Sequence, residues 1–132
     1  MISELSTTLV ILPARGGSKR IPNKNIIEIF GEPMIYWPLK VLRNLFSTEK
    51  VLVSTDSEIV KATVEKKGLH VPFKRPDSLS NDIIGTAEVV KHALEWYETN
   101  VSNVDFVLTV YPTAVMLSEI DICDAFSMLI KD

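Results

Sequence analysis

Short, wholly apolar segments alternate with helical patterns along this chain of 132 residues, and that alternation constrains its fold most. Residues 8–12, 51–55 and 105–110 are rich in β-branched and aliphatic side chains, and residues 70–73 indicate a further short strand. Strands without a polar face are typical of parallel sheets that helices cover on both sides. We therefore predict an α/β fold with a mainly parallel sheet and helices on both faces.

Amphipathic patterns lie between these strands. Apolar residues recur on one face over residues 35–46 and, at steps of four and three, over residues 83–97. A shorter helix is predicted between residues 56 and 68, and residues 118–121 resemble a capping box that opens a final helix. Pro38 must lie in the first turn of its helix or kink it.

Composition excludes several classes of protein. The single Cys cannot form a disulfide within the chain, and no apolar run approaches the roughly 20 residues of a membrane span. The N-terminus lacks the basic region of a signal peptide. We therefore expect a cytoplasmic protein that does not bind membranes.

The clearest functional signal follows directly on the first strand. Residues 14–25, ARGGSKRIPNKN, contain two adjacent glycines and four basic residues, and no Asp or Glu occurs between Glu4 and Glu28. Adjacent glycines let the backbone approach a ligand and direct N–H groups at an anion, and Arg and Lys neutralise phosphates. Neither the Walker A spacing nor the third glycine of a dinucleotide motif is present. The segment predicts a triphosphate-binding loop, with a solvated basic loop as the alternative. Its basic residues are concentrated in ten positions, which favours a small anion as the ligand over nucleic acid.

The same segment resembles the signature of the acylneuraminate cytidylyltransferases, the CMP-sialic acid synthetases and their pseudaminic and legionaminic acid relatives. Further matches follow in register: GEPMI at 31–35, VSTD at 53–56, Arg75-Pro76, Asp82, Thr86, HAL at 92–94 and YPT at 111–113. The resemblance covers nearly the whole chain but only the N-terminal part of the family. It implies a Rossmann-like nucleotidyltransferase fold (the nucleotide-diphospho-sugar transferase fold), shortened here to a single nucleotide-binding domain over residues 1–132.

The function implied by the resemblance is that of an enzyme, a nucleotidyltransferase. It would activate a nonulosonic, sialic-type sugar acid with CTP, giving a CMP-sugar and pyrophosphate. The implied catalytic residues, which bind the triphosphate, are Arg15, Lys19 and Lys24. The implied nucleotide-binding residues are Ala14, Gly16, Gly17, Ser18, Asn25, Arg75, Asp82 and Thr86, and the implied sugar-binding residues are Tyr111 and Thr113.

The resemblance also implies Mg²⁺ and a homodimer. The family's metal ligands and dimerisation segment are expected beyond Asp132, so no metal ligand is assigned within this chain. The sialic acid synthetases carry Gln-Pro-Thr where this chain has Tyr111-Pro112-Thr113, which favours a relative such as pseudaminic acid. Two other functions stay open: a non-catalytic or truncated nucleotide-binding module, and a related transferase that uses another nucleoside triphosphate.

Several of these residues also have a purely structural interpretation. Asp56 lies at a strand end, where functional residues occur, but Asp56-Ser57 also precedes a helical pattern and can cap it, so for Asp56 we favour an N-cap over a functional role. Asp82 could cap the next helix. Arg75 would be an ordinary turn residue without the resemblance. His70 and His92 lack partners at ligand spacing, which argues against a metal site.

Overall fold

The computed structural model describes residues 2–17, 21, 23–80 and 85–131. The helices and strands follow one another in the order α1 (Ile2–Ser6), β1 (Thr8–Pro13), β2 (Glu28–Ile29), β3 (Glu32–Pro33), α2 (Tyr36–Leu45), β4 (Val51–Ser54), α3 (Glu58–Lys66), α4 (Thr86–Asn100), β5 (Phe106–Thr109) and α5 (Glu119–Lys131). Single 3₁₀ turns at Lys24–Ile26, Thr48–Lys50 and Asp77–Leu79 lie in the connections.

A three-stranded parallel sheet in the order β4-β1-β5 forms the centre of the molecule. Val10 of β1 is aligned with Val51 on one side and with Leu108 on the other. Leu9, Val10, Ile11 and Leu12 have no exposed surface. Because both neighbours and both faces of β1 are covered, its central positions must be apolar, as the sequence pattern indicated.

Helices cover both faces of the sheet, which confirms the predicted fold class. Val10 and Leu12 pack in a cluster with side chains of α2, α3 and α5, including Leu39, Val60 and Phe126. Leu9 and Ile11 point to the other face, where they pack with Ala93 and Tyr97 of α4. This alternation follows from the two-residue period of a strand.

One predicted strand is replaced by a single bridge, and a short hairpin was not predicted. Residues 70–73 form only one parallel bridge, between His70 and Leu52, in place of a strand. The short β2–β3 hairpin was not expected, because its turn contains no Asn or Asp. Phe30 and Gly31 adopt positive φ values of 49° and 82° there, and the side chain of Phe30 is almost fully exposed.

The observed helix ends match the predicted ones in α2 and α5 but not in α4. Pro38 lies in the first turn of α2, where its missing N–H does no harm. The capping box before α5 is confirmed, because Ser118 N donates to Asp121 and Asp121 N donates to the Ser118 hydroxyl. In contrast, α4 begins at Thr86, with Gly85 at its N-cap, rather than at residue 83. Within the described part of the chain, no helix is long and apolar enough to cross a membrane.

Candidate functional site

A cleft of about 210 Å³ lies at the carboxyl ends of β1 and β5. It is lined by Pro13, Arg15, Lys24, Asn25, Tyr111, Pro112 and Thr113. From β1 the chain continues to β4 on one side of the sheet, and β5 lies on the other side. The cleft therefore lies at the topological switch point, where open parallel sheets bind their ligands.

The structure brings five predicted site residues from two distant segments into this cleft. Arg15, Lys24 and Asn25 come from the loop after β1, and Tyr111 and Thr113 follow β5. Two cations and two hydroxyl-bearing side chains thus line the same cleft. This arrangement suits a ligand with an anionic end and a polyhydroxylated end.

Hydrogen bonds from neighbouring segments fix the backbone of the loop. Ala14 N donates to the carbonyl of Ser54 over 2.8 Å, which extends the pairing of β1 with β4. Gly16 N donates to Asp56 Oδ1 over 2.8 Å. The amide of Asn25 donates to the carbonyl of Arg15, also over 2.8 Å, and Asn25 is itself buried. The first residues of the loop are therefore held in one conformation before any ligand binds.

The two glycines of the loop differ in their surroundings. A Cβ added to Gly16 would lie 2.6 Å from the Cβ of Ser57, which no side chain could accommodate without a shift. A Cβ added to Gly17 would meet nothing within 4 Å. Gly16 is thus required by packing against the start of α3, whereas Gly17 is exposed to solvent.

Asp56 has a different role from the one predicted. The N-cap of α3 is Ser57, whose hydroxyl accepts from Val60 N over 3.2 Å. The carboxylate of Asp56 instead accepts the hydrogen bond from Gly16. The prediction that Asp56 caps α3 was wrong because two adjacent residues could both do so, and Ser57 takes that position while the Asp56 carboxylate accepts from the loop.

Arg75 lies beneath the loop and is 3% exposed. Its Nε donates to the Ser54 hydroxyl over 3.1 Å, and its Nη2 donates to the Ser54 carbonyl over 2.6 Å. Burial lowers the pKa of Arg75, the charge of Asp56 opposes that change, and the charge of Arg15 adds to it. Arg75 does not line the cleft, and its side chain donates to the end of β4.

Thr86, at the start of α4, lies next to Tyr111. The two hydroxyl oxygens are 3.0 Å apart, so one donates to the other. The resemblance assigns one of these residues to the nucleotide and the other to the sugar acid, and the structure places them in contact.

Three predicted site residues, Ser18, Lys19 and Asp82, lie outside the described part of the chain. Among the described residues, no group of three His, Cys, Asp or Glu side chains could hold a metal ion. His92 instead packs edge-on against Phe73, with ring centroids 4.9 Å apart, and its buried Nδ1 has no hydrogen-bond partner.

Several known proteins resemble this chain in sequence. A pseudaminic acid cytidylyltransferase of Campylobacter jejuni is 36% identical over 124 residues, which is 94% of this chain and 53% of that protein. An N-acylneuraminate cytidylyltransferase of Streptococcus agalactiae is 34% identical over 94 residues, 70% of this chain and 22% of that protein. The chain therefore spans about half the length of the relative from Campylobacter jejuni, and its match covers 22% of the relative from Streptococcus agalactiae.

A solved structure has the same fold. A CMP:2-keto-3-deoxy-manno-octonic acid synthetase in complex with CTP superimposes with a TM-score of 0.72 at 22% identity, over 96% of this chain and 48% of that one. The sequence model of the family described as "Cytidylyltransferase" matches residues 9–132. That match covers nearly all of the chain, which therefore belongs to the cytidylyltransferase family.

Proposed function

We propose that this chain binds CTP in the cleft and forms the nucleotide-binding part of an enzyme that transfers CMP to a nonulosonic acid, with pseudaminic acid as the favoured acceptor. The observation that carries the proposal is the convergence of Arg15 and Lys24 with Tyr111 and Thr113 at the sheet's switch point. The relative from Campylobacter jejuni is named for pseudaminic acid, and this supports the choice of acceptor.

The reaction forms one bond to phosphorus and breaks another. A hydroxyl oxygen of the sugar acid attacks the α-phosphorus of CTP and loses its proton to solvent. The bond from that phosphorus to the bridging oxygen of the β-phosphate breaks, and pyrophosphate leaves with that oxygen. Positioning and charge neutralisation supply most of the rate in such transfers. The guanidinium of Arg15 would donate two hydrogen bonds to phosphate oxygens, and the ammonium of Lys24 would add a positive charge.

The two substrates would meet where Thr86 and Tyr111 touch. Their 3.0 Å contact joins α4, on the proposed nucleotide side, to the segment after β5, on the proposed sugar side. A nucleotide and an acceptor bound on either side of this pair would be neighbours, as direct transfer requires.

Mg²⁺ stays a prediction of the resemblance. The described residues contain no cluster that fits the ion, and Asp56, a carboxylate beside the loop, already accepts a hydrogen bond from Gly16. We therefore derive no step of the reaction through a metal. The homodimer likewise stays a prediction.

Calorimetric titration of CTP, UTP, GTP and ATP into the chain, with Mg²⁺ present, tests the proposal. We expect preferential binding of CTP, and a loss of about 1.5–3 kcal/mol in Arg15→Ala and in Lys24→Ala, the usual contribution of a charged hydrogen bond. Lys66→Ala, which removes an exposed cation at the end of α3, is the matched control and should bind CTP normally. Equal binding of all four nucleotides would contradict the cytidine assignment.

A second measurement separates an enzyme from a nucleotide-binding module. Pyrophosphate release is followed with CTP and either pseudaminic acid or N-acetylneuraminic acid. Release with pseudaminic acid supports the proposed acceptor. Binding of CTP without release with either acid favours the non-catalytic module.

A further inference from the structure

We propose that Asp56 is a positioning residue for the phosphate-binding loop, acting through the peptide group between Arg15 and Gly16. This inference rests on the proposed function, because it concerns how the loop is held ready for a triphosphate. Neither the resemblance nor the comparisons assign a role to Asp56.

The Arg15–Gly16 peptide group is held from two sides. Its N–H donates to Asp56 Oδ1, and its carbonyl accepts from the side-chain amide of Asn25, each over 2.8 Å. In a trans peptide these two groups point in opposite directions. Asp56 and Asn25 therefore fix the plane of this peptide group from opposite edges.

The orientation of that plane determines how the rest of the loop is placed relative to Arg15. Rotating the peptide would change ψ of Arg15 and φ of Gly16, and with them the direction of the backbone after Gly16, while Arg15 itself stays anchored by the pairing of Ala14 with Ser54. Arg15 lines the cleft, so the placement of the following backbone beside that cation depends on this one peptide group. A site whose geometry is set in advance loses less entropy when its ligand binds.

The chemical identity of Asp56 also favours a positioning role. A carboxylate beside a triphosphate repels it, and this costs binding energy. Asp56 does not cap α3, since Ser57 performs that function. Its negative charge instead lies near the buried Arg75, whose guanidinium is tied to Ser54. The carboxylate can therefore be kept next to the loop with its charge partly neutralised.

Two substitutions separate the hydrogen bond from the charge. Asp56→Asn keeps an acceptor oxygen at the same reach and removes the charge. Asp56→Glu keeps the charge and displaces the acceptor by one methylene group. Asp77→Asn, which removes the charge of an exposed aspartate in the nearby 3₁₀ turn, is the control. Melting temperatures establish that each variant is folded.

The measurements are the dissociation constant for CTP and the hydrogen-exchange rate of the Gly16 amide without nucleotide. We expect Asp56→Asn to bind CTP as tightly as the native chain or more tightly, with a protected Gly16 amide. We expect Asp56→Glu to bind roughly tenfold more weakly, with faster exchange at Gly16.

The opposite pattern, with Asp56→Glu native-like and Asp56→Asn impaired, would overturn the proposal, because the charge and not the hydrogen bond would then matter. Equal binding by both variants and the native chain would overturn it as well. In either case the native chain still binds CTP, so the proposed function stands. If the native chain binds no nucleotide, the proposed function fails and the positioning role fails with it.

Discussion

Replacing Gly16 with alanine should disrupt the loop, and the structure gives the size of the effect. The new Cβ would lie 2.6 Å from the Cβ of Ser57 and 3.3 Å from its hydroxyl oxygen. Carbon atoms in contact are normally about 3.5–4.0 Å apart, so the loop or the start of α3 must move by about 1 Å. A shift of that size stretches the 2.8 Å bond from Gly16 N to Asp56 beyond the ~3.2 Å limit of a good hydrogen bond.

Two costs therefore combine in Gly16→Ala. Overpacking of this kind costs about 1–3 kcal/mol of unfolding free energy. Loss of the bond to Asp56 also frees the Arg15–Gly16 peptide group, so CTP affinity should fall by about tenfold. Gly17→Ala, where the added methyl group meets nothing within 4 Å, is the matched control and should change the unfolding free energy by no more than about 0.5 kcal/mol.

Urea unfolding and CTP titration of Gly16→Ala, Gly17→Ala and the double variant Gly16→Ala/Ser57→Gly provide the assay. Removing the Ser57 side chain eliminates the clash, and glycine at an N-cap costs only a few tenths of a kcal/mol. We therefore expect the double variant to be more stable than Gly16→Ala alone, a coupling that a double-mutant cycle measures directly. Native stability and affinity in Gly16→Ala, or no coupling to Ser57, would refute the reasoning.

Two further predictions concern the support of the site. Arg75→Lys should lower the unfolding free energy, measured by urea denaturation, by about 1–3 kcal/mol, because one ammonium group cannot replace both the Nε and the Nη2 hydrogen bonds to Ser54. An unchanged unfolding free energy would contradict this. Trp37→Phe should cost about 1 kcal/mol and speed amide exchange in β2 and β3, because the indole N–H donates to the carbonyl of Ile29 over 2.9 Å. Native exchange rates in the hairpin would show that this bond does not hold it.

The sequence predicts the centre of the fold well because local signals and tertiary structure agree there. Leu9, Val10, Ile11 and Leu12 of β1 are all apolar, and all four are fully buried. The capping box before α5 joins two residues three positions apart, so the local sequence is enough to predict it. The loop after β1 could be located for the same reason, since its glycines and cations are contiguous in the chain.

The remaining features depend on contacts between distant residues. Asp56 contacts Gly16 only because β1 and β4 pair in a register that aligns Pro13 with Ser54. That register cannot be read from either segment alone. The burial of Arg75 beneath the loop depends on the same strand end, and a basic residue before a proline gives no local sign of it. The signal that could have identified Asp56 is its position two residues beyond a buried strand.

The central position of β1 has a consequence for the order in which the chain can fold. Val10 pairs with Val51 and with Leu108, so β1 completes its pairing only after β5, almost a hundred residues further along, is available. Parallel pairing over such sequence separations folds slowly, because the connecting loops must close before the contacts form. On the ribosome, the apolar β1 segment would stay without its second neighbour until β5 has emerged. During this interval the nascent chain exposes an aggregation-prone strand, and fast synthesis or chaperone binding would protect it.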